Sequence, residues 1–461
     1  MFVIRPRGNL TADVIGDISN ELNAELEAEF IWTDPLDFTN VVSIYQDRRV
    51  RVGAMQGLCQ HLNDLGYPTR IELPELEPAP FDWEFYGELR PLQDRLPKAA
   101  QLHRYGFLCA PPGLGKTVIA SKLVSELSRR TLILTQAKEP FFGAYETLQD
   151  FTNCNPGRLG AGFSEPSDVT VCLVQTVNNR IQCEDNNDVF IELIKNAEII
   201  ITDEAHNCMT ERYSAIYENA KKVKFFLGTT ATPFASDDRE TLLYSRIGPI
   251  LAEITHAEAI DHNLCVPFTL YYQDCPGMKQ YKDKDPRMFQ YGSVYSKYIT
   301  YNKERCNQYL NFVQNCLDND LTCAIIVSKI KHGKTFKKLM PELTEVYGST
   351  SDKARKQAWA DLQSRKIKCV VTTLMDEATN IPSLDAVAIA AGGKSKTRLI
   401  QRLRNLRTFD GETEDGWYTK ERGYVYITID DAPYVGTHSK INLKNLKALA
   451  NAHPLNEVIK V

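Results

Sequence analysis

The chain contains one stretch that decides its fold class. From residue 106 to residue 117 it reads Gly106-Phe107-Leu108-Cys109-Ala110-Pro111-Pro112-Gly113-Leu114-Gly115-Lys116-Thr117. An apolar run, a glycine-rich turn and an amphipathic segment predict a strand, a tight turn and a helix in that order. Such a turn directs backbone N–H groups at phosphate, while its lysine reaches the β/γ-phosphate oxygens and its threonine hydroxyl binds Mg²⁺. The stretch therefore predicts a nucleotide site with Thr117 as metal ligand and with phosphate held by Pro112, Gly113, Leu114, Gly115 and Lys116.

Short apolar runs alternate with amphipathic segments on both sides of this loop and again after residue 320. Strands are predicted over 106–110, 132–135, 169–174, 198–202 and 223–229, and then over 323–328, 344–348, 368–373 and 386–390. Helices are predicted over 333–340, 351–364 and 397–406. Strands alternating with helices are typical of parallel sheets whose two faces are covered. The pattern therefore predicts two α/β domains.

Three domains are predicted, with boundaries at residues 80 and 255. Residues 1–80 form a small α+β accessory domain, with an acidic helix-like stretch at 10–30 and a proline-rich linker at 73–80. Residues 81–255 and 256–461 carry the two α/β patterns. The accessory domain could bind DNA through Arg48, Arg49 and Arg51, or bind a protein. Residues 250–320 are rich in tyrosine and could be helical, with base stacking and core packing as alternatives.

Composition and charge narrow the class of protein. The 461 residues are 43% hydrophobic and 25% charged, as in folded globular chains. No apolar run approaches the ~20 residues of a membrane span, which excludes a membrane protein. The twelve cysteines form no Cys-x-x-Cys pair. Together these features predict a cytoplasmic protein, located in the host cytoplasm if a phage encodes it. Residues 321–410 hold 17 Lys+Arg against 8 Asp+Glu, whereas the whole chain has net charge −5. This basic segment indicates a phosphate-binding face, with a solvated surface as the alternative.

Two further motifs follow predicted strands. Asp203-Glu204-Ala205-His206 follows the strand over 198–202, and Gly228-Thr229-Thr230-Ala231-Thr232-Pro233 follows the strand over 223–229. Ligands bind at the carboxyl ends of strands in open α/β sheets. There, Asp203 can hold the Mg²⁺ of a nucleotide and Glu204 can activate the attacking water. A helix cap at Asp203 and capping hydroxyls in the second motif are the alternatives.

In this order, the three motifs resemble the first signature motifs of a superfamily 2 DExH-box helicase. The resemblance implies two RecA-like parallel-sheet domains in tandem, ATP and Mg²⁺ as cofactors, and hydrolysis in a cleft between the domains. It also implies that Gln93 reads the adenine. Residues that couple the nucleotide site to nucleic acid would be His206, Thr230, Thr232 and Glu377.

Matches to the remaining motifs assign further residues. Strand-end segments that grip nucleic-acid backbone in this family match Thr135, Gln136, Gln175, Thr176, Ser328, Lys329 and Thr373. The segment from Gln401 to Arg407 resembles the motif whose arginines reach the γ-phosphate, which implies roles for Gln401, Arg404 and Arg407.

Three positions depart from the family pattern. Ala110 stands where the phosphate loop usually begins with glycine, and Ala378 and Asn380 replace a usual glycine and aspartate. The arginine motif is one residue short, so Arg402 competes with Arg404 for the role beside phosphate. Weak hydrolysis, in a chain that mainly binds or recruits, is therefore one alternative function.

Looser matches at 43–53, 298–305 and 424–439 resemble phage UvsW-type and XPB-like recombination and repair motors. They imply that duplex, forked or four-way DNA is preferred over RNA. An RNA helicase is the remaining alternative, because no motif displays contacts to a 2′-hydroxyl.

Overall fold

A computed structural model describes residues 1–33, 41–183, 189–208, 210–231, 240–277, 288–374, 381–403 and 405–461. The chain divides into two compact units, Met1–Ile254 and Thr255–Val461.

The first unit begins with a small sheet of five strands in the order β5-β6-β2-β1-β7. Its strands and the short pair β3/β4 are β1 Phe2–Pro6, β2 Thr11–Ile15, β3 Ile31–Thr33, β4 Val41–Ser43, β5 Tyr45–Gln46, β6 Arg49–Arg51 and β7 Thr69–Ile71. Helices α1 Asn20–Glu29 and α2 Met55–Asp64 accompany it. The predicted acidic helix over 10–30 is correct only for its second half, because residues 11–15 alternate buried and exposed side chains as a strand does.

The first unit continues with an eight-stranded sheet in the order β11-β10-β12-β9-β13-β14-β8-β15, parallel except for the β10/β11 pair. Its strands are β8 Tyr105–Cys109, β9 Thr131–Thr135, β10 Gly157–Gly160, β11 Phe163–Glu165, β12 Val169–Leu173, β13 Ile199–Asp203, β14 Phe225–Thr230 and β15 Ile250–Glu253. Its helices are α3 Arg95–His103, α4 Lys116–Leu127, α5 Lys138–Phe151, α6 Val174–Gln182, α7 Val189–Asn196, α8 Glu211–Asn219 and α9 Glu240–Ile247. The central strands are buried along their whole length, which explains their continuous apolar sequence.

The small sheet and the eight-stranded sheet share one hydrophobic core. Ile4 and Leu58 of the N-terminal region belong to the same buried cluster as Phe107 and Phe226 of the large sheet. Gly53, just after β6, packs against the last turn of α9, where a Cβ would lie 2.2 Å from the Tyr244 carbonyl oxygen. The N-terminal region is therefore held against the α/β sheet by backbone contact, and the boundary at residue 80 stays a prediction.

The second unit contains a seven-stranded, wholly parallel sheet in the order β18-β19-β17-β20-β23-β16-β24. Its strands and the hairpin β21/β22 are β16 Phe268–Cys275, β17 Cys323–Ile326, β18 Thr344–Val346, β19 Cys369–Thr372, β20 Ala386–Ile389, β21 Asp410–Thr413, β22 Gly416–Thr419, β23 Gly423–Asp430 and β24 Glu457–Lys460. Its helices are α10 His256–Asp261, α11 Tyr291–Val294, α12 Lys303–Asp318, α13 Ile330–Leu339, α14 Asp352–Gln363, α15 Lys396–Gln401 and α16 Val435–Ala450, with a π-helical turn at Tyr295–Thr300.

The predicted helix in the tyrosine-rich region is wrong for residues 268–275. These form β16, which pairs with β23 along its whole length, because aromatic and β-branched side chains suit a half-buried strand. Tyr295 and Tyr298 are buried, so packing rather than base stacking explains them. Tyr291 and Tyr301 are exposed.

The other predicted strands are confirmed to within a few residues. Among the described residues, no helix is long and apolar enough to cross a membrane. Ten of the twelve cysteines are buried, as expected for small apolar side chains.

Candidate active site

Three predicted motifs meet at one edge of the eight-stranded sheet. Strands β13, β14 and β8 are parallel neighbours, so their carboxyl ends lie side by side. Asp203 is opposite Thr229, and Thr230 is opposite Cys109, the last residue before the glycine-rich loop. The Ala110 N–H donates to the Thr230 carbonyl at 3.1 Å. The loop and the two strand-end motifs are therefore joined by the sheet itself.

The glycine-rich loop turns into helix α4 through left-handed backbone. Gly113 has φ 84° and Gly115 has φ 76°, and the helix begins at Lys116. Glycine adopts such angles without strain. A Cβ on Gly115 would also lie 2.8 Å from the Gln93 amide nitrogen. Both the dihedral angle and the limited space therefore require glycine at position 115. The first turn of α4 leaves backbone N–H groups free to face an anion.

The buried side chain of Gln93 is hydrogen-bonded to the backbone of the glycine-rich loop. Its amide nitrogen donates to the Leu114 carbonyl at 2.5 Å, and its amide oxygen accepts from the Arg90 N–H at 2.7 Å. The side chain is 2% exposed. Gln93 therefore positions the loop, and its predicted contact with adenine stays a prediction.

Asp203 lies between opposing electrostatic influences. Its Oδ1 accepts a hydrogen bond from the Thr229 hydroxyl at 3.0 Å. Burial, followed by the neighbouring Glu204, raises the pKa of Asp203, while Lys116 and the Thr229 hydroxyl act to lower it. A bound divalent cation would favour the ionised carboxylate, as these two groups do.

The residues present fit a nucleotide-bound Mg²⁺. Among the described residues, no cluster of three or more His, Cys, Asp or Glu side chains could hold a metal by itself. Mg²⁺ in nucleotide sites takes only one or two protein oxygens and completes its shell with phosphate and water. The Asp203 carboxylate and the Thr117 hydroxyl supply such oxygens. Lys116, whose ammonium donates to the Ala110 carbonyl at 3.3 Å, is the cation of the same loop.

The Glu204 backbone is left-handed, with φ 47° and ψ 51°. A non-glycine residue pays a conformational cost there, and such costs are concentrated at functional sites. The Glu204 carboxylate lies 3.5 Å from His206 Nδ1. Glu204 is thus set at a tight turn immediately after the strand that carries Asp203.

His206 joins this turn to the neighbouring strand. Its Nδ1 lies 3.1 Å from the Thr230 hydroxyl, and its Nε2 lies 3.0 Å from the Asn207 amide nitrogen. Burial lowers the pKa of His206, against the influence of Glu204. The structure therefore brings together His206 and Thr230, both predicted to couple the site to nucleic acid.

Thr229 has no role among the predictions made from the sequence motifs. Its hydroxyl is a direct partner of Asp203, whereas the prediction named its neighbour Thr230. The sequence carries a signal for this contact, because Thr229 follows a predicted strand of the same parallel sheet, and residues at the ends of adjacent parallel strands lie side by side.

The chain is similar to several known proteins. Residues 83–235 match the family described as "Type III restriction enzyme, res subunit". A putative helicase of Sulfolobus islandicus filamentous virus is 24% identical over 359 residues, which cover 70% of this chain and 60% of the relative. The DNA 3'-5' translocase XPB2 of Sulfurisphaera tokodaii is 29% identical over 164 residues, 36% of this chain and 35% of the relative. A putative HsdR subunit fragment of a type I restriction enzyme from Vibrio vulnificus shares the fold, with a TM-score of 0.56, 16% identity and coverage of 92% of this chain and 77% of that one.

The chain is therefore similar to superfamily 2 helicases. The two large sheets have the RecA-like fold of such proteins. The predicted resemblance to this superfamily and to XPB-like motors is confirmed, and the DEAH subtype stays a prediction. The chain spans between about a third and two thirds of the length of the curated relatives it matches.

In the first RecA-like domain, the side chains predicted to contact nucleic acid differ in their exposure. Gln136 and Gln175 are exposed, and Thr176 is half-buried. Thr135 is 1% exposed, and its hydroxyl donates to the Cys172 carbonyl at 3.3 Å. The strand β9 lies between β12 and β13, so this hydroxyl is engaged within the sheet, and its predicted contact with nucleic acid stays a prediction.

In the second RecA-like domain, Ser328 and Lys329 are exposed just after β17, and Thr373 follows the adjacent parallel strand β19. The Lys329 ammonium lies 4.6 Å from the centre of the Tyr295 ring. These three side chains therefore share one edge of the sheet, and their predicted contact with nucleic acid stays a prediction.

The arginine motif lies partly outside the described residues. Gln401 ends α15 and is buried, as is Arg402, while Arg407 is half-buried in a short bridge with Cys265. The predicted contact of Gln401 with nucleotide stays a prediction. Arg404, Glu377 and Thr232 lie outside the described residues.

Proposed function

We propose that this protein is an ATP-driven translocase or helicase that acts on duplex or branched DNA. The observation that carries the proposal is the meeting of Lys116, Asp203 and Glu204 at the ends of β8 and β13, with Thr229 on the strand between them. A phosphate-binding loop and two carboxylates, one acting on metal and one on water, are the parts needed for in-line phosphoryl transfer.

Each of these side chains has a distinct role in the proposed reaction. Lys116 and the loop N–H groups bind the β- and γ-phosphates and orient the γ-phosphate for attack. Glu204 accepts a proton from the attacking water, or orients that water. Mg²⁺, bound through Asp203 and Thr117, supplies charge neutralisation at the phosphates.

An arginine of the segment from Gln401 to Arg407 is the last group that the proposed reaction needs. Arg404 or Arg407 contributes positive charge as charge develops on the transferred phosphate, with Arg402 as the competing candidate. Loss of this arginine is expected to lower kcat more than it changes KM, since the interaction belongs to the transition state.

The preference for DNA rests on the relatives rather than on this chain's own contacts. One relative is named as a DNA 3'-5' translocase, and the N-terminal region and tail resemble those of DNA motors. RNA stays the alternative substrate. The same proposal includes a role in recombination or repair and a cytoplasmic location. It also includes binding of DNA or protein by residues 1–80.

Steady-state ATPase measurements with a panel of nucleic acids test the proposed function. The panel contains single-stranded DNA, duplex DNA, forked and four-way DNA, and structured RNA. Stimulation by duplex or branched DNA, lost in Glu204→Gln, is the expected result. Glu192→Gln is the matched control, because Glu192 is exposed on α7 and, among the described residues, pairs with the neighbouring Lys195 and Asn196.

Other outcomes of the panel would redirect the proposal. Stimulation by RNA alone would replace the DNA motor with an RNA helicase. Nucleotide binding without turnover on any substrate would mean that the chain acts as a binding or recruitment module.

A further inference from the structure

A charged cavity lies in the first unit, and none of the residues of the glycine-rich loop line it. Its volume is about 360 Å³, and it opens between the N-terminal sheet and the eight-stranded sheet. Side chains from β6, α8, β14 and α9 line it, among them Arg49, Arg51, Tyr217, Glu218, Phe226 and Arg246. The volume is in the range of small-ligand sites.

Two guanidinium groups in this cavity lack a carboxylate partner. Arg51 Nε donates to the Ser43 carbonyl at 3.2 Å, and Arg246 donates to the Cys208 carbonyl at 3.2 Å. Arg246 Nε is buried and has no hydrogen-bond partner among the described residues. Within the described part of the chain, no carboxylate lies within 4.0 Å of either guanidinium. Donors are therefore left over on both arginines.

The electrostatics of the cavity favour an anion. Burial, and then the nearby Arg246, lowers the pKa of Arg51 to about 10, which Glu218 only partly opposes. Two like charges held together in partly buried surroundings destabilise each other. An anion that accepts hydrogen bonds from both would remove this repulsion and satisfy the remaining donors.

The two arginines are held in place by backbone contacts. Gly53 follows β6, and a Cβ there would lie 2.2 Å from the Tyr244 carbonyl oxygen and 2.7 Å from the Gly248 backbone nitrogen. Tyr244 and Gly248 flank Arg246 at the end of α9. The strand that carries Arg51 and the helix that carries Arg246 therefore cannot separate without breaking a close contact, and a pre-organised pair binds an anion with little ordering cost.

We propose that this cavity is a phosphate-binding site in which Arg51 and Arg246 are the cations. A guanidinium pair matches the geometry of phosphate oxygens, which accept two parallel hydrogen bonds from each arginine. The phosphate belongs either to the backbone of a nucleic acid or to a free phosphate compound. The site does not depend on ATP turnover, so its test is separate from that of the proposed function.

Thermal unfolding in the presence of inorganic phosphate tests the site. The measurement uses the full chain with Lys116→Ala, which removes phosphate binding at the loop, and sodium chloride of equal ionic strength as the reference. Phosphate is expected to raise the Tm, because a ligand that binds only the folded state stabilises it. Adding Arg51→Gln or Arg246→Gln is expected to weaken phosphate binding by about tenfold or more.

Arg70→Gln is the matched control. Arg70 lies on β7 of the same small sheet, is more than half exposed and pairs with Glu72. Arg51→Gln keeps the proposal testable if Arg246→Gln fails to fold. No phosphate-dependent rise in the Lys116→Ala chain, or equal phosphate affinity in the Arg51→Gln and Arg70→Gln variants, would overturn the proposal.

An oligonucleotide arm distinguishes the two sources of phosphate. Affinity for a fluorescent single-stranded oligonucleotide is measured for the same variants. A loss that parallels the loss of phosphate binding assigns the site to nucleic-acid backbone. An unchanged oligonucleotide affinity, together with lost phosphate binding, assigns it to a free phosphate compound.

Discussion

The Thr229 hydroxyl donates a hydrogen bond to Asp203 Oδ1 at 3.0 Å. The two residues end neighbouring parallel strands and are partners in the register of β13 and β14. The bond favours the ionised form of a carboxylate whose pKa is raised by burial and by Glu204. Thr229 therefore helps to keep Asp203 in the state that a metal ligand needs.

We expect Thr229→Val to lower kcat/KM for ATP at pH 7 by about ten- to a hundredfold, since a hydrogen bond to a charged group contributes about 1.5–3 kcal/mol. The pKa of Asp203 should rise without this donor, so the acid limb of the pH–rate profile should move to higher pH. Thr131→Val is the control, because it removes a buried hydroxyl bond at the opposite end of the same sheet. An unchanged acid limb in Thr229→Val would contradict this role.

The contact between His206 and Thr230 predicts a coupling defect. Thr230→Val should leave ATPase without nucleic acid nearly unchanged and should reduce the stimulation by nucleic acid about fivefold or more. The reason is that the hydroxyl, 3.1 Å from His206 Nδ1, links the turn after β13 to β14. ATPase rates with and without saturating DNA give the ratio, and equal losses in both rates would instead indicate a role in hydrolysis.

Gly228 packs closely against the turn that follows β13 and carries Glu204 and Ala205. A Cβ there would lie 2.7 Å from the Ala205 Cβ and 3.0 Å from the Phe107 ring. Gly228→Ala is expected to destabilise the protein by about 1–3 kcal/mol and to lower kcat, because Ala205 directly follows Glu204.

Gly57→Ala is the matched control for Gly228→Ala. Gly57 lies inside α2 with nothing near its would-be Cβ, so alanine should stabilise the protein by about 0.5–1 kcal/mol. Thermal unfolding and kcat are measured for both variants. Equal stability changes in the two would show that the packing at Gly228 is looser than described.

His256 predicts a loss of stability in acid. Burial, and then His453, lowers its pKa to about 4, and neither ring nitrogen has a hydrogen-bond partner among the described residues. The unfolded chain takes up this proton near pH 6.5, so the folded state binds fewer protons between about pH 6.5 and 4. Stability is therefore full above pH 6.5 and falls as the pH decreases, by up to about 3 kcal/mol from this group.

His256→Leu should reduce that pH dependence by about one proton. Denaturant unfolding at a series of pH values between 7 and 4 measures the slope, and His103→Leu, an exposed change on α3, is the control. A slope in His256→Leu equal to that of the control would show that His256 is protonated as readily in the folded chain as in the unfolded one.

The strands of both sheets were predictable because each is an apolar run bounded by turns or helices, as at 132–135 and 323–328. Phe268–Cys275 was not, because its five polar or tyrosine positions gave no alternation, and its strand character depends on pairing with β23 along eight residues. Lys116, Asp203 and His206 were predictable from motifs whose chemistry requires those residue types. Thr135 was assigned by position in a motif, and its burial follows from neighbours that the local sequence does not name.

The sequence by itself determined that a phosphate loop, a pair of carboxylates and a hydroxyl-rich turn would each end a buried parallel strand, because apolar runs and glycine turns are local signals. Only the tertiary structure decided which strand ends are adjacent. The order β13-β14-β8 sets Thr229 beside Asp203, although the chain visits β8 first. Tertiary packing alone also brings Arg51 to Arg246, because the contact of Gly53 with α9 joins segments far apart in the chain, and no local pattern encodes that approach.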